Sequence, residues 1–208
     1  MFTALLDTSV LWPSLQRDFL LSLAAEHVYR PIWSDAILAE LERHEFLKLV
    51  RRGTAPEEAS ERARFLVSEM GRAFDDAVIG GWEPFQGSYG LPDPDDEHVL
   101  AAAVVGGAGA IVTANLKDFP KHCLPAGLQV LSAPEFAYDA VSANPIAGLQ
   151  AVAAISLRSG SKGPSRSTDE LLDLLEGRYG LVQAVDMLRS LSHQGHQHAD
   201  PPAPGAGR

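Results

Sequence analysis

The sequence predicts an α/β fold in which a mostly parallel sheet is flanked by helices on both faces. Short apolar runs alternate with amphipathic helical patterns through the first two thirds of the chain. This alternation is typical of parallel sheets, because each strand must return to the same edge through a crossover. The last third is helical throughout and predicts a C-terminal helical extension. With 208 residues and 46% hydrophobic content, the chain can bury a full core.

The elements of the α/β part follow from these patterns in chain order. They are strands over residues 2–6, 27–33, 110–113 and 128–131, and helices over residues 14–26, 34–52, 54–76, 97–105 and 133–141. The first strand is a buried apolar run that Asp7 ends. Thr54 and Glu57 have the spacing of a capping box, which predicts the start of the third helix. Gly106 and Gly107 predict the end of the fourth helix.

The chain changes character after the last predicted strand. Helices are predicted over residues 144–158, 171–176 and 181–191, separated by a Gly/Ser/Lys linker over residues 159–166. Ser167 and Glu170 form a capping box before the second of these helices. The predicted division is an α/β domain over residues 1–137, a helical extension over residues 144–191, and a disordered tail over residues 193–208, rich in Pro, Gly and His.

Composition limits the classes of function. The formal net charge of −10 argues against non-specific coating of nucleic acid, but it leaves specific nucleic-acid chemistry open. The single Cys123 predicts no internal disulfide. No apolar run approaches the length of a membrane span, and the N-terminus lacks the pattern of a signal peptide. We therefore expect a cytoplasmic protein with no membrane partner.

Five acidic residues lie at element ends or early on predicted helices. They are Asp7, Glu40, Asp93, Asp96 and Asp118. Asp7 follows the first strand directly, and ligands of open α/β sheets bind at the carboxyl ends of the strands. Hard divalent cations such as Mg²⁺ and Mn²⁺ prefer carboxylate oxygens. The pattern predicts a site where Asp7, Glu40 and Asp96 hold such a cation together.

Each acid also has a purely structural interpretation. Asp7 fits a turn cap, Glu40 fits a solvated helix face, and Asp93 fits the cap before a proline. Asp96 is harder to explain in this way, because it lies between two further acids in one turn. The helix N-terminus offsets part of that repulsion, and a cation would offset more.

Four segments carry a family resemblance. They are residues 5–11 (LLDTSVL), 34–41 (SDAILAEL), 93–103 (DPDDEHVLAAA) and 111–120 (IVTANLKDFP). In this order and spacing they resemble the acidic motifs of PIN-domain proteins of the bacterial VapC type, the toxin ribonucleases of toxin–antitoxin pairs. The C-terminal helices resemble the extension carried by one VapC subgroup.

The resemblance implies a Mg²⁺- or Mn²⁺-dependent endoribonuclease held inactive by a cognate antitoxin protein, with a homodimer left open. It implies that water cleaves the RNA without using the 2′-hydroxyl. The implied residues are Asp7, Glu40 and Asp96 as principal acids, Asp118 or Asn115 in the fourth position, and Thr8 or Ser9 as a supporting hydroxyl. Asp93 is either an extra ligand or a helix cap. Arg43 and Lys117 are candidate phosphate contacts, with an ordinary solvated helix face as the alternative.

Two other classes of function compete with this one. An aspartyl-nucleophile phosphatase would have a second acid two residues after Asp7, where this chain has Ser9. A non-catalytic protein-binding module would use the acids as caps and the helical extension as a docking surface. The run Gly106-Gly-Ala-Gly109 follows a predicted helix and not a strand, so it indicates a helix end and not a dinucleotide loop.

Overall fold

The computed structural model describes residues 1–161 and 163–197, and its centre is one five-stranded parallel sheet. The strands are β1 (Thr3–Leu6), β2 (Arg30–Ser34), β3 (Val78–Ile79), β4 (Ala110–Val112) and β5 (Gln129–Leu131). Their order across the sheet is β3-β2-β1-β4-β5, and every neighbouring pair is parallel. The predicted α/β class with a parallel sheet is confirmed.

Strand β1 lies in the middle of the sheet. Leu5 is aligned with Ile32 on β2 and with Ile111 on β4, and all three side chains are fully buried. A continuous apolar run is what a parallel strand covered on both faces requires. Beyond the strand, the backbone N–H of Asp7 donates to the carbonyl of Val112 at 3.0 Å. Asp7 is therefore held at the carboxyl edge of the sheet.

In the described residues, nine α-helices flank the sheet or follow it in the chain. They are α1 (Thr8–Leu11), α2 (Ser14–Ala25), α3 (Asp35–Arg51), α4 (Pro56–Ala73), α5 (Glu97–Val105), α6 (Ala133–Ala143), α7 (Pro145–Arg158), α8 (Thr168–Tyr179) and α9 (Val182–Gln197). The capping box predicted at Thr54 and Glu57 is wrong. Helix α4 begins at Pro56, and its N-cap Ala55 has no side chain that can accept a hydrogen bond.

The C-terminal helices pack on the α/β part. Helix α7 lies against α2, and α9 lies against α6. Arg158 also donates to the hydroxyl of Ser22 on α2 at 3.0 Å. One hydrophobic cluster runs from Leu5 in the central strand to Leu188 in α9. The extension is therefore part of the same core as the sheet.

Two predictions about the C-terminal region have different outcomes. The capping box at Ser167 and Glu170 is present, with both reciprocal hydrogen bonds. The predicted tail begins too early, because α9 continues to Gln197 and includes residues 193–197. Residues 198–208 lie outside the part of the chain that the structure describes.

In the described residues, no single helix is long and apolar enough to cross a membrane. The consecutive helices α6 and α7 together have the length and apolar composition of a membrane span, but the chain bends by 115° between them.

Candidate active site

Asp7 is the acid at the end of the central strand. It is only 6% exposed. Its Oδ2 atom accepts hydrogen bonds from the Ser9 hydroxyl at 2.6 Å and the Thr113 hydroxyl at 2.7 Å. The other carboxylate oxygen accepts none from the described residues. The side chain is therefore oriented by its neighbours and keeps one oxygen for a ligand.

The hydroxyl groups around Asp7 also fix the loop after β4. The backbone N–H of Ala114 donates to Ser9 Oγ at 2.9 Å, and that of Asn115 donates to Thr113 Oγ1 at 3.0 Å. The motif at residues 113–115 is thus tied to the end of β1. Sequence reasoning placed Ser9 at the site but did not single out Thr113. The signal available was its position directly after a buried strand neighbouring the one that Asp7 ends.

Glu40 comes from the middle of α3 and is half-buried. Its Oε2 atom accepts from the Thr8 hydroxyl at 2.8 Å, and its Oε1 atom lies 3.2 Å from Nε2 of His98. The hydrogen bond from His98 is the largest cause of the lowered pKa of Glu40, and the bond from Thr8 adds to it, against the opposing effect of burial. Glu40 is therefore held in place and ionised at neutral pH.

His98 is a site residue that sequence reasoning missed. It lies in the first turn of α5 and is 7% exposed, with its ring 5.9 Å from that of Trp82. Its Nδ1 atom has no hydrogen-bond partner among the described residues. The only available sequence signal was its place two residues after Asp96. A buried histidine at a helix start is otherwise indistinguishable from a core residue.

Asp96 ends the 3₁₀ helix Pro94–Asp96 and is the N-cap residue of α5. Its pKa is raised to about 6, first by partial burial and then by the negative charges of Asp7, Asp118 and Asp93, in that order. His98 acts on the same carboxyl in the opposite direction and lowers its pKa. Asp7, Asp93 and Asp118 therefore lie near enough to Asp96 for their charges to repel its carboxylate. Such crowding favours protonation or a bound cation.

The neighbouring acid Glu97 has a structural role. It is 3% exposed and accepts hydrogen bonds from the backbone N–H groups of Gly87, Tyr89 and Leu91. Burial opposes ionisation, but these backbone bonds outweigh it and lower the pKa of the carboxyl. Glu97 therefore orders the loop before α5, and part of the acidic crowding seen in the sequence is explained without a ligand.

The two remaining predicted acids, Asp93 and Asp118, differ in their contacts and in their position relative to Asp96. Asp93 caps the 3₁₀ helix by accepting from the backbone N–H of Asp95 at 2.9 Å. Asp118 ends the 3₁₀ helix Leu116–Asp118 and acts on Asp96 through its charge. Asn115 lines the same cleft as Asp7, whereas Asp118 does not.

These side chains line one cleft of about 610 Å³ at the carboxyl edge of the sheet. The polar lining near the strand ends comprises Asp7, Thr8, Ser9, Glu40, Asp96 and Asn115. Further along α3 the lining continues with His44, Lys48 and Arg51. Arg43 lines a different, smaller pocket beside α4, and Lys117 is exposed outside the cleft lining. The cations near the acids are therefore Lys48 and Arg51.

The available donor atoms are carboxylate oxygens, which are the ligands that a hard divalent cation prefers. Asp7 and Asp96 supply carboxylate oxygens that no described residue occupies, and their mutual repulsion would be relieved by a positive charge. Glu40 faces the same cleft but already accepts two hydrogen bonds. Within the described residues, no three Asp, Glu, His or Cys side chains are drawn together tightly enough to form a ready-made metal cage. Mg²⁺ tolerates this, because it keeps several waters and needs few protein ligands.

A parallel α/β sheet with acids from three distant segments at its carboxyl edge defines a class of protein with a ligand site at the strand ends. The PIN domain family model matches residues 3–117, which is more than half of the chain. The chain therefore belongs to the PIN-domain family, whose members are typically metal-dependent nucleases that use Mg²⁺ or Mn²⁺. Neither curated proteins nor solved structures gave a match to this chain.

Proposed function

We propose that the protein is a Mg²⁺- or Mn²⁺-dependent endoribonuclease that acts as the toxin of a toxin–antitoxin pair. The observation that carries the proposal is that Asp7, Glu40 and Asp96 line one cleft, although they come from a strand end, a helix interior and a helix start. Membership of the PIN-domain family supports nuclease chemistry in general. The choice of RNA and the toxin role follow from the resemblance of the four motifs to VapC proteins.

The proposed roles follow from what each side chain already contacts. Asp7 and Asp96 would hold the cation, because each has carboxylate oxygen not engaged by other residues. Ser9 orients Asp7, and Thr8 orients Glu40. Glu40 would accept a proton from water in the cleft, since its lowered pKa keeps it ionised.

The reaction is the hydrolysis of an RNA phosphodiester. A water oxygen attacks phosphorus in line, the bond from phosphorus to the 3′-oxygen breaks, and that oxygen leaves with a proton. A bound divalent cation supplies neutralisation of the charge that develops on the phosphoryl oxygens and lowers the pKa of water. The products carry a 5′-phosphate and a 3′-hydroxyl, and the 2′-hydroxyl is not the nucleophile.

Three further residues have secondary roles in the proposal. Asn115 lines the cleft, so it is the better candidate for direct contact in the fourth position. Asp118 would act through its charge on Asp96. Asp93 is already engaged as a helix cap, which favours a structural role over a metal ligand.

Nuclease activity is tested by cleavage of a structured RNA with purified protein and Mn²⁺. Asp7→Asn and Asp96→Asn should each lower cleavage by more than about a hundredfold, because removal of one ligand weakens both cation binding and charge stabilisation. Asp95→Asn is the matched control, since Asp95 lies beside Asp96, is exposed, and has a side chain that forms no hydrogen bond or ion pair within the described residues. Cleavage that persists in chelator, or products that end in a 2′,3′-cyclic phosphate, would overturn the proposal.

The proposed antitoxin would block the cleft with a basic side chain. An Arg or Lys inserted between Asp7 and Asp96 would occupy the place of the cation, and such charge-assisted pairs are strong when desolvated. Partner and Mn²⁺ should then compete. Pull-down of full-length protein from the native host, repeated at saturating Mn²⁺, tests this idea. A partner retained undiminished at saturating Mn²⁺ would contradict direct occupation of the acidic cleft.

The competing functions make different predictions. A non-catalytic binding module predicts no stabilisation by Mn²⁺ in a thermal unfolding experiment, whereas a nuclease of this kind predicts it. The phosphatase alternative has less support, because Ser9 stands where a second acid is needed and its hydroxyl is engaged with Asp7. Hydrolysis of a phosphomonoester that Asp7→Asn abolishes, without any RNA cleavage, would favour that alternative.

A further inference from the structure

A second groove, of about 710 Å³, lies beside the acidic cleft and is basic. It is bounded by the loop before α2, the C-terminal end of α3, the linker before α8, and α8 itself. The residues that matter for its chemistry are Arg51, Arg52, Arg166, Arg178, Trp12 and Tyr179. Two of the four arginines, and the tyrosine, come from the C-terminal extension. No Asp or Glu among the described residues lines this groove.

The arginines of this basic groove lack acidic partners. Within residues 1–161 and 163–197, no carboxylate forms an ion pair with any of the four guanidinium groups. Lys48, which also lines the groove, differs because it is paired with Glu45 and donates to the Ser14 hydroxyl at 3.2 Å. In a chain of net charge −10, four unpaired cations in one concavity indicate an anionic ligand.

The basic groove is continuous with the acidic cleft. Trp12, Lys48 and Arg51 line both cavities. Trp12 is 40% exposed, and its ring lies 6.1 Å from the ring of His44, which lines the acidic cleft. A chain that occupies the basic groove would therefore pass Trp12 and reach the carboxylates without leaving the protein surface.

We propose that the basic groove binds single-stranded RNA on one side of the cleavage position, so that the C-terminal extension forms part of the RNA-binding surface. The proposal rests on the nuclease function proposed above. Spread cations interleaved with aromatic rings suit a nucleic-acid strand, because the cations contact successive phosphates and the rings stack on bases. Arg178 already lies 5.6 Å from the centre of the Tyr179 ring. An acidic protein segment would use the cations but would have no use for the exposed rings.

Binding is measured without catalysis, by fluorescence anisotropy of a labelled unstructured 15-nucleotide RNA in chelator. The double variant Arg166→Ala/Arg178→Ala should bind about tenfold more weakly than wild type. The slope of log Kd against log salt should fall by about 1.4, which is the loss of two phosphate contacts on a single strand. The matched control is Arg62→Ala/Arg72→Ala, which removes the same charge from exposed positions on α4. The control should bind like wild type.

Cleavage of a long and a minimal substrate separates the groove from the nuclease site. With Mn²⁺, the groove variant should raise KM for the 15-nucleotide RNA and leave kcat unchanged, and its cleavage of a dinucleotide should match wild type. Equal RNA affinity in groove and control variants would overturn the proposal. Equal displacement of RNA by polyglutamate and by unlabelled RNA would also overturn it, in favour of an acidic protein segment.

The outcomes also distinguish this proposal from the proposed function. If wild type binds RNA through the groove arginines but never cleaves it, the nuclease function fails and the groove stands. If wild type cleaves RNA and the groove variant binds and cleaves RNA as well as wild type does, the groove proposal fails and the nuclease function stands. Chemical unfolding of both double variants shows whether they are folded. Arg166→Gln, which keeps a polar side chain in the linker, provides a second variant that should show about half of the loss in salt slope.

Discussion

The hydroxyl groups of Ser9 and Thr113 both donate to the same oxygen of Asp7. This arrangement orients the carboxylate and leaves its other oxygen for a ligand. Glu40 is oriented in a similar way by Thr8 and His98. Because the supporting groups are already in place, binding of a cation requires little ordering of Asp7 or Glu40.

Asp96 should make stability depend on pH in the metal-free protein. Its pKa is about 6 in the folded state, against an ordinary value of 3.8. The folded state therefore holds the proton more tightly, and stability present below pH 4 is lost as the pH rises through 6. The full shift corresponds to about 3 kcal/mol, and solvent screening at a partly exposed group reduces it to about 1 to 2 kcal/mol.

Asp96→Asn should remove this loss. At pH 7.5 in chelator, the variant should melt about 2 to 8 °C above wild type, and the difference should vanish near pH 3.5. Added Mn²⁺ should stabilise wild type much more than the variant. Differential scanning calorimetry across the pH range measures both effects, with Asp95→Asn as the control. A variant less stable than wild type at pH 7.5 would instead favour a structural role for Asp96 in starting α5.

His98 should act by positioning Glu40. His98→Ala removes the N–H that donates to the Glu40 carboxylate, so kcat should fall about tenfold while KM for RNA changes little. His98→Gln keeps an N–H donor and should recover most of the rate. If stability alone were affected, both variants would show normal kcat per folded molecule. A low kcat in His98→Ala together with a nearly normal kcat in His98→Gln would therefore support the positioning role.

The sequence indicated the acidic residues of the site more clearly than the residues that form hydrogen bonds with them. Asp7, Glu40 and Asp96 could be selected because a strand end, a helix interior and a helix start each carry a carboxylate within one α/β pattern. His98 and Thr113 could not, since a buried histidine or threonine beside an apolar run fits a core equally well. Their contacts span up to 106 positions in sequence, and only the packed sheet brings them together.

At the scale of whole elements, buried strands and long periodic helices could be predicted within a few residues. Strand β3 was missed because it has two residues and little burial. Helix α1 was missed because four residues show no periodicity. The predicted start of α4 failed at Thr54, since Ala55 and Pro56 begin the helix without any side-chain cap.

Gly148 on α7 packs directly against the side chain of Leu188 on α9. A Cβ atom at this position would lie 2.8 Å from Cδ2 of Leu188 and 3.3 Å from Val141. Gly148→Ala should therefore destabilise the protein by about 1 to 3 kcal/mol, as overpacking does in a dense core. Urea unfolding measures the change in free energy.

Gly177→Ala is the matched control for Gly148→Ala. Gly177 also lies inside a helix, but a Cβ there meets nothing within 4 Å. Alanine should stabilise that site by about 0.5 to 1 kcal/mol, because it restricts the unfolded chain.

If both substitutions stabilise the protein, the space between Gly148 and Leu188 is wide enough for a methyl group, and α7 and α9 pack less closely than the 2.8 Å distance requires. Adding Leu188→Ala to Gly148→Ala should relieve the clash, so the two changes should couple favourably.

At the scale of the whole molecule, the C-terminal extension and the sheet share one hydrophobic core. Val152, Ile155, Leu171, Leu175 and Leu188 are buried in the same cluster as the central strand. The pattern of these residues predicted helices with apolar faces. It could not predict which surface they cover, because α2 and α6 present apolar positions that are recognisable only after folding.

Removal of the extension should therefore prevent stable folding. A chain truncated after Ala143 would expose the apolar faces of α2 and α6 that α7 and α9 cover. Loss of several fully buried side chains, at about 1.5 to 3 kcal/mol each, exceeds the usual stability of a domain of about 5 to 15 kcal/mol. The truncated protein should aggregate or unfold without cooperativity in urea. A control truncated after Gln197 retains every described helix and should unfold like wild type. A monomeric protein ending at Ala143 that unfolded cooperatively and cleaved a dinucleotide normally would show that the α/β part folds alone.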